Sequence, residues 1–122
     1  MKIYIPTRGR PFDQVTLSFF PEELKKKVVL VIDKDEEDKY KFYHDDQAKM
    51  VVPEDCVGIG PKRKYIVDNT DDPHIIMLDD DLRFYIRKSP TDWHLRYLEK
   101  EEYPAMFGLL EEWMKQGYAH CG

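Results

Sequence analysis

Val28-Val29-Leu30-Val31-Ile32-Asp33 sets five apolar residues in succession, four of them β-branched, and closes them with an acid. Unbroken apolarity, without the alternation of a half-exposed strand, predicts a strand covered on both faces. Such burial belongs to parallel sheets, whose crossovers lay helices over each side. Upstream, Lys2-Ile3-Tyr4-Ile5-Pro6 is rich in β-formers and runs into the loop composition Thr7-Arg8-Gly9-Arg10-Pro11. Downstream, Lys49-Met50-Val51-Val52-Pro53 and His74-Ile75-Ile76-Met77-Leu78 predict two more short strands, the second ending in Asp79-Asp80-Asp81.

Helical signals fill the intervals. Pro11 to about Phe20 predicts a helix with proline in its first turn, and Pro21 to Lys27 a turn with acids first and bases last. Residues 35 to 48 suit an exposed helix. Gly58 to Asn69 predicts a helix with Ile59, Arg63, Ile66, Val67 and Thr70 on one face. Tyr103 to Gln116 predicts an amphipathic helix, with Met106, Leu109, Leu110, Trp113 and Met114 inward and Gly117 as its stop. Leu82 to Arg87 reads as extended, and Tyr118 to Gly122 as the start of another strand. The expectation is one α/β domain over residues 1–122, mostly parallel, with helices on both faces.

With 42% hydrophobic and 35% charged residues, the composition is that of a globular protein and not a disordered one. A net charge of −5 argues against a broad electrostatic grip on nucleic acid, although Lys62, Arg63 and Lys64 form a local basic segment. No stretch approaches the roughly 18 apolar residues of a membrane helix, and the N-terminus lacks the regions of a signal peptide. Cys56 and Cys121 form no CxxC motif, so both are read as reduced thiols of a cytoplasmic protein.

A parallel sheet gathers Thr7 to Arg10, Asp33 and Asp79 to Asp81 on the rim at the carboxyl ends of its strands, where open α/β sheets bind ligands. In an extended continuation Asp79 and Asp81 share a face, and two hard oxygen donors suit Mg²⁺ or Mn²⁺. The competing reading is a solvated acidic loop. Three adjacent like charges repel unless a cation is bound, which favours the metal. Asp80, on the opposite face, is read as structural or as acting through the local field.

Arg63 falls on the inward stripe of its helix, where it needs a phosphate or a site aspartate as partner. Lys62 and Lys64 are read as solvated. Glycines at this helix start would let backbone amides approach an anion. Arg8 and Arg10 suit bidentate phosphate binding or stacking on a base, and equally suit a surface turn. Asp33 either accepts hydrogen bonds from a base or ribose or simply ends its strand. Asp33 to Asp38 is no calcium loop, because Asp38 stands where that loop needs glycine and His44 where it needs glutamate. The four histidines show no ligand spacing, and no Gly-x-x-x-x-Gly-Lys-Ser/Thr phosphate loop is present.

Together these elements resemble the nucleotide-binding half of GT-A-fold glycosyltransferases. The resemblance is carried in order by Ile5-Pro6-Thr7-Arg8-Gly9-Arg10, Val31-Ile32-Asp33, Gly58 to Lys64, and Met77-Leu78-Asp79-Asp80-Asp81 as a DxD motif. The Pro-Thr-Arg-Gly-Arg opening and the Gly-x-Gly-x-Lys-Arg segment are most similar to the small phage enzymes that glycosylate hydroxymethylated pyrimidines in DNA. The resemblance implies a Rossmann-like nucleotide-diphosphate-sugar domain, with UDP-glucose the favoured donor and Mn²⁺ or Mg²⁺ as cofactor. It implies Asp81 as a metal ligand and Asp79 on the ribose or the metal's water shell. It further implies Asp33, Thr7, Arg8 and Arg10 on the nucleoside, with Arg63 facing the diphosphate or the aspartates. It spans about residues 2 to 87, so the expectation is a truncated GT-A domain whose acceptor half is absent or incomplete. Under that expectation the chain either transfers a sugar or only binds one, with a second copy or companion chain pairing along an open sheet edge.

Overall fold

The computed structural model describes all residues from Met1 to Gly122. β1 (Lys2–Pro6), β2 (Val28–Asp33), β3 (Ala48–Val52) and β4 (Ile75–Met77) form one sheet in the order β3-β2-β1-β4. Every pairing is parallel. The chain steps outward from β1 to β2 to β3, then returns to lay β4 on the other side of β1. Between β1 and β4 the strand order therefore reverses, and such a switch point opens a crevice at the strands' carboxyl ends.

Side chains alternate along each strand, and the two faces have separate cores. Ile3, Ile5, Val28, Leu30, Ile32 and Ile76 point to one face, where they meet Leu17, Phe20, Leu24, Tyr40, Tyr103 and Phe107. Those partners come from α1 (Val15–Phe19) and the residue after it, α2 (Glu22–Lys25), α3 (Glu37–Tyr43) and α5 (Glu102–Lys115). Tyr4 and Val31 point to the other face and pack with Val52 and Ile66, the latter from α4 (Ile59–Asp68). The unbroken apolar run of β2 thus has a helical layer on each side, as its composition predicts.

The boundaries differ from the sequence reading in four places. Residues 11 and 12 form a turn, 13 and 14 are irregular, and α1 starts at Val15. Residues 34–36 form a 3-10 turn before α3, which ends at Tyr43. Residues 118–122 form no strand. β5 (Tyr85–Ser89) is not a lone extended segment but one arm of an antiparallel hairpin with β6 (Asp92–Tyr97). Ser89-Pro90-Thr91 supplies its turn chemistry, with the Ser89 hydroxyl accepting from the Asp92 amide at 3.1 Å.

The inward stripe of α5 is also shifted from the expectation. Tyr103 and Phe107 are buried, with Met106 and Leu110 packed against the core, whereas Leu109 is 50% and Trp113 39% exposed. Phe84 accounts for the shift: it enters the core beside Phe20, Tyr103 and Phe107 and turns that face of the helix inward.

A bidentate pair ties the hairpin to α5. Arg96 donates to Glu102 at 2.6 and 2.8 Å, and Glu102 also accepts from the Glu99 amide at 2.8 Å. The Arg96 guanidinium, helped by that amide, holds the Glu102 carboxyl down at about 2 against an ordinary value of 4.5. A depressed carboxyl pKa contributes stability that is present above 4.5 and is lost as pH falls through about 2. An acid titration followed by near-ultraviolet dichroism is expected to show this step. Glu102→Gln is expected to remove it, and an unchanged profile in that variant would refute the assignment.

Candidate functional site

The crevice at the switch point is a cleft of about 320 Å³ lined by Thr7, Arg8 and Arg10 after β1, Gly58, Ile59 and Lys62 at the start of α4, and Asp79, Asp80 and Asp81 after β4. Gly58 has φ +92°, a left-handed conformation that a Cβ would strain, and it turns the chain into α4 at the cleft's edge. Glycine is needed here for the turn.

The three aspartates do not continue a strand. β4 ends at Met77, and Asp80 and Asp81 lie in a turn. The same-face argument for Asp79 and Asp81 therefore fails as geometry, although all three carboxylates still line the cleft. Asp79 and Asp81 remain half exposed, at 52% and 55% of their side-chain surface, while Asp80 is 13% exposed. Asp80 is not on an opposite face; it is the aspartate most deeply held by protein.

Its holder is a hydrogen-bond network centred on Thr7. The Thr7 hydroxyl lies 2.7 Å from Asp80 Oδ2, an oxygen that only accepts, so its single proton goes there. Gln14 Nε2 donates to Thr7 Oγ1 at 2.8 Å and to the Arg10 carbonyl at 2.9 Å. The Tyr40 hydroxyl, 2.9 Å from Thr7 Oγ1, must then donate as well, while accepting from the Arg10 amide at 3.3 Å. Burial pushes the Tyr40 phenol above its ordinary value, which keeps it protonated in this role. Arg10 completes the cradle with 3.0 Å to Asp80 and 3.4 Å to Asp81. Tyr40→Phe is expected to lower stability by about 1 kcal/mol in urea unfolding, the usual cost of one buried hydrogen bond. No loss at all would show that the hydroxyl is not the second donor to Thr7.

The basic segment differs most from its sequence reading. Lys62 is not solvated, as its sequence position suggests, but only 3% exposed; its Nζ donates to the Thr7 carbonyl at 3.0 Å and pairs with Asp33 Oδ1 at 3.1 Å. Arg63, placed there on the inward stripe, has half its side chain in solvent and donates to Asp79 Oδ1 at 2.9 Å. Ile59 and Val67 are exposed with it. The helix is rotated so that Lys62 and Ile66, four apart, form the buried stripe. That spacing was available in the sequence, but a lysine on an apolar stripe reads as solvent-facing until its buried carboxylate partner is known.

Asp33, at the end of β2, is bound on both sides. Lys62 holds one oxygen and Arg8 the other, and Arg8 also reaches Asp35 at 3.2 Å through each terminal nitrogen. The Arg8 guanidinium holds the Asp35 carboxyl below its ordinary value. Glu36, which the sequence reading passed over, accepts from the Gly9 amide at 2.9 and 3.1 Å and fixes the tight turn after β1. Thr7, Arg8, Arg10, Arg63, Asp79 and Asp81 thus meet at one cleft or its rim, with Asp33 joined to them through Arg8 and Lys62.

No group of three or more His, Cys, Asp or Glu side chains is arranged to hold a metal by protein ligands alone. Mg²⁺-type sites commonly use one or two carboxylates, with water and substrate phosphates completing the shell. Asp79 and Asp81, half exposed at the cleft mouth, fit that pattern.

A parallel sheet of this order, flanked by helices and with a cleft at its switch point, is compatible with a truncated Rossmann-like GT-A domain. Residues 1–120 match the TET-Associated Glycosyltransferase family, and the chain belongs to that family of glycosyltransferases. No curated protein and no solved structure matches it. No helix is long and apolar enough to cross a membrane.

Proposed function

We propose that the switch-point cleft binds a nucleotide diphosphate sugar together with Mn²⁺ or Mg²⁺. The sugar is delivered to a hydroxyl acceptor, the hydroxymethyl group of a modified pyrimidine in DNA. UDP-glucose is the donor to test first. The observation that carries this reading is the convergence of Arg10, Arg63, Asp79 and Asp81 around one cleft, with two carboxylates half open to solvent. A diphosphate entering there meets guanidinium groups suited to bidentate contact. Asp79 and Asp81 would hold the metal, whose contribution when bound is Lewis-acid neutralisation of charge on the departing diphosphate.

Transfer forms a bond between the acceptor oxygen and the sugar's anomeric carbon, and breaks that carbon's bond to the diphosphate. The bonding electron pair leaves with the nucleoside diphosphate, and the acceptor's proton passes to a base. The chain's own residues bind and orient. Asp80, fixed by Thr7 and Arg10, locks the acidic turn against the loop after β1, so that Asp79 and Asp81 face the cleft without being tethered to one another. Arg8 closes over Asp33, so a nucleoside contacting that carboxylate would compete with its guanidinium.

Calorimetric titration with UDP-glucose, with and without Mn²⁺, tests the donor site, and labelled-glucose transfer to hydroxymethylated DNA tests the reaction. Metal-dependent binding with transfer supports the whole reading. Binding without transfer reduces it to a donor-binding module. Absence of metal-dependent binding overturns it.

A further inference from the structure

The chain has six arginines. Arg8, Arg10, Arg63 and Arg96 are each paired with a carboxylate, and Arg83 and Arg87 are not. Both unpaired arginines are exposed, as is the neighbouring Lys88, which also lacks a carboxylate partner. All three belong to the β5–β6 ribbon and its approach. From Arg83 to Arg96 there are four basic residues and a single acid, Asp92, in a chain whose net charge is −5. Glu102 neutralises Arg96, and no carboxylate pairs with Arg83, Arg87 or Lys88.

The same ribbon carries unburied aromatics. Tyr85, Arg87, Leu95 and Tyr97 share one face by register, and Trp93, beside the bulge that follows Arg87, is 74% exposed. Trp93 stacks on His94 with ring centroids 4.3 Å apart and an interplanar angle of 22°, and Tyr85 stacks on Tyr97 at 4.5 Å. Free cations beside aromatic faces are complementary to a polyanion that also offers flat rings. A nucleic acid strand with unpaired bases has both properties: phosphates for the cations, and base faces that stack at a gain of roughly 1–3 kcal/mol each. A membrane surface or an acidic peptide would use the charges and leave the ring faces unmatched.

We propose that the β5–β6 ribbon docks single-stranded or locally opened DNA through Arg83, Arg87, Lys88 and the exposed face of Trp93. The inference deepens the glycosyltransferase reading by naming where its acceptor is held. Tyr85 begins β5 four residues after Asp81, so the ribbon starts within about 14 Å of the acidic rim. A DNA strand several nucleotides long held on the ribbon would extend from there toward the cleft that holds the donor.

The probe is a fluorescein-labelled mixed-sequence single-stranded 12-mer, with its duplex for comparison, titrated with the full chain over a range of salt concentrations. The single strand is expected to bind more tightly than the duplex and to quench tryptophan fluorescence. Arg83→Ala/Arg87→Ala/Lys88→Ala is expected to reduce the slope of log affinity against log salt by about 2, at roughly 0.7 per phosphate contact. Trp93→Ala is expected to weaken binding about tenfold and to remove the quenching, Trp113 remaining. Far-ultraviolet dichroism of each variant verifies folding.

No binding at low salt, binding unchanged in both variants, or a duplex preference indifferent to Trp93 would overturn the proposal. So would self-association of the chain that Trp93→Ala abolishes, because the face would then belong to a second copy. UDP-glucose binding measured on the same variants is expected to be intact. An unaltered chain that binds UDP-glucose but no oligonucleotide fails this inference alone, and one that binds the oligonucleotide but no UDP-glucose fails the donor reading alone.

Discussion

Replacing Asp79 and Asp81 together by alanine is expected to abolish Mn²⁺-dependent UDP-glucose binding and to reduce any sugar transfer by on the order of 10³-fold, while leaving the fold intact. The magnitude follows from the role. A Lewis acid at a departing diphosphate is worth several kcal/mol, and each 1.4 kcal/mol is about tenfold in rate. The intact fold follows from exposure, since both carboxylates are half in solvent and their partners, Arg63 and Arg10, are surface guanidiniums. Asp80→Ala gives the contrast. It removes the acceptor of Thr7 and Arg10, so its first effect is expected on stability, with donor binding weakened indirectly. Calorimetry and urea unfolding on both variants separate the two roles. Unimpaired metal-dependent binding in the double variant would remove the acidic turn from the site.

Lys62→Met is expected to destabilise the protein by about 3 kcal/mol, the low end of the cost of breaking a buried ion pair by removing one partner. The substitution keeps the apolar stem against the α4 stripe. It leaves Asp33 Oδ1 and the Thr7 carbonyl without their buried donor. Arg8→Ala attacks the same carboxylate from the solvent side with a guanidinium that is more than half exposed, and is expected to cost far less. Equilibrium urea unfolding distinguishes the cases: a large fall in midpoint at constant slope for Lys62→Met and a small one for Arg8→Ala. Equal small effects would mean that the buried ammonium does not hold the β1 and β2 loop ends together.

The sheet was legible because its evidence is periodic and local. The unbroken apolar run of β2, the short apolar runs of the other strands and the strand-end loops all lie in consecutive residues. What was not legible depends on contacts between distant segments. Lys62 is buried because Asp33 and the Thr7 carbonyl wait for it, and no spacing within α4 reveals that. Asp80 faces the cleft because the chain turns after Met77, three residues short of it, so an argument from strand alternation could not reach it. Tyr40 and Gln14 enter the site through Thr7 and the Arg10 backbone, and neither lies in a recognisable motif. The second arm of the hairpin was missed because Trp93 to Tyr97 mixes aromatic and charged residues with no buried face to impose alternation.

The central claim is that donor and metal meet at the switch point between β1 and β4. Paramagnetic broadening by Mn²⁺ tests it most directly, read on the backbone amide resonances of the ¹⁵N-labelled chain in the presence of UDP. The amides of Gly9, Arg10, Gly58 and Asp79 to Asp81 are expected to broaden first, and to recover when Mg²⁺ displaces Mn²⁺. Broadening centred instead on the acidic stretch Asp33 to Asp38 or on Asp45 and Asp46, with the switch-point amides unaffected, would contradict the account.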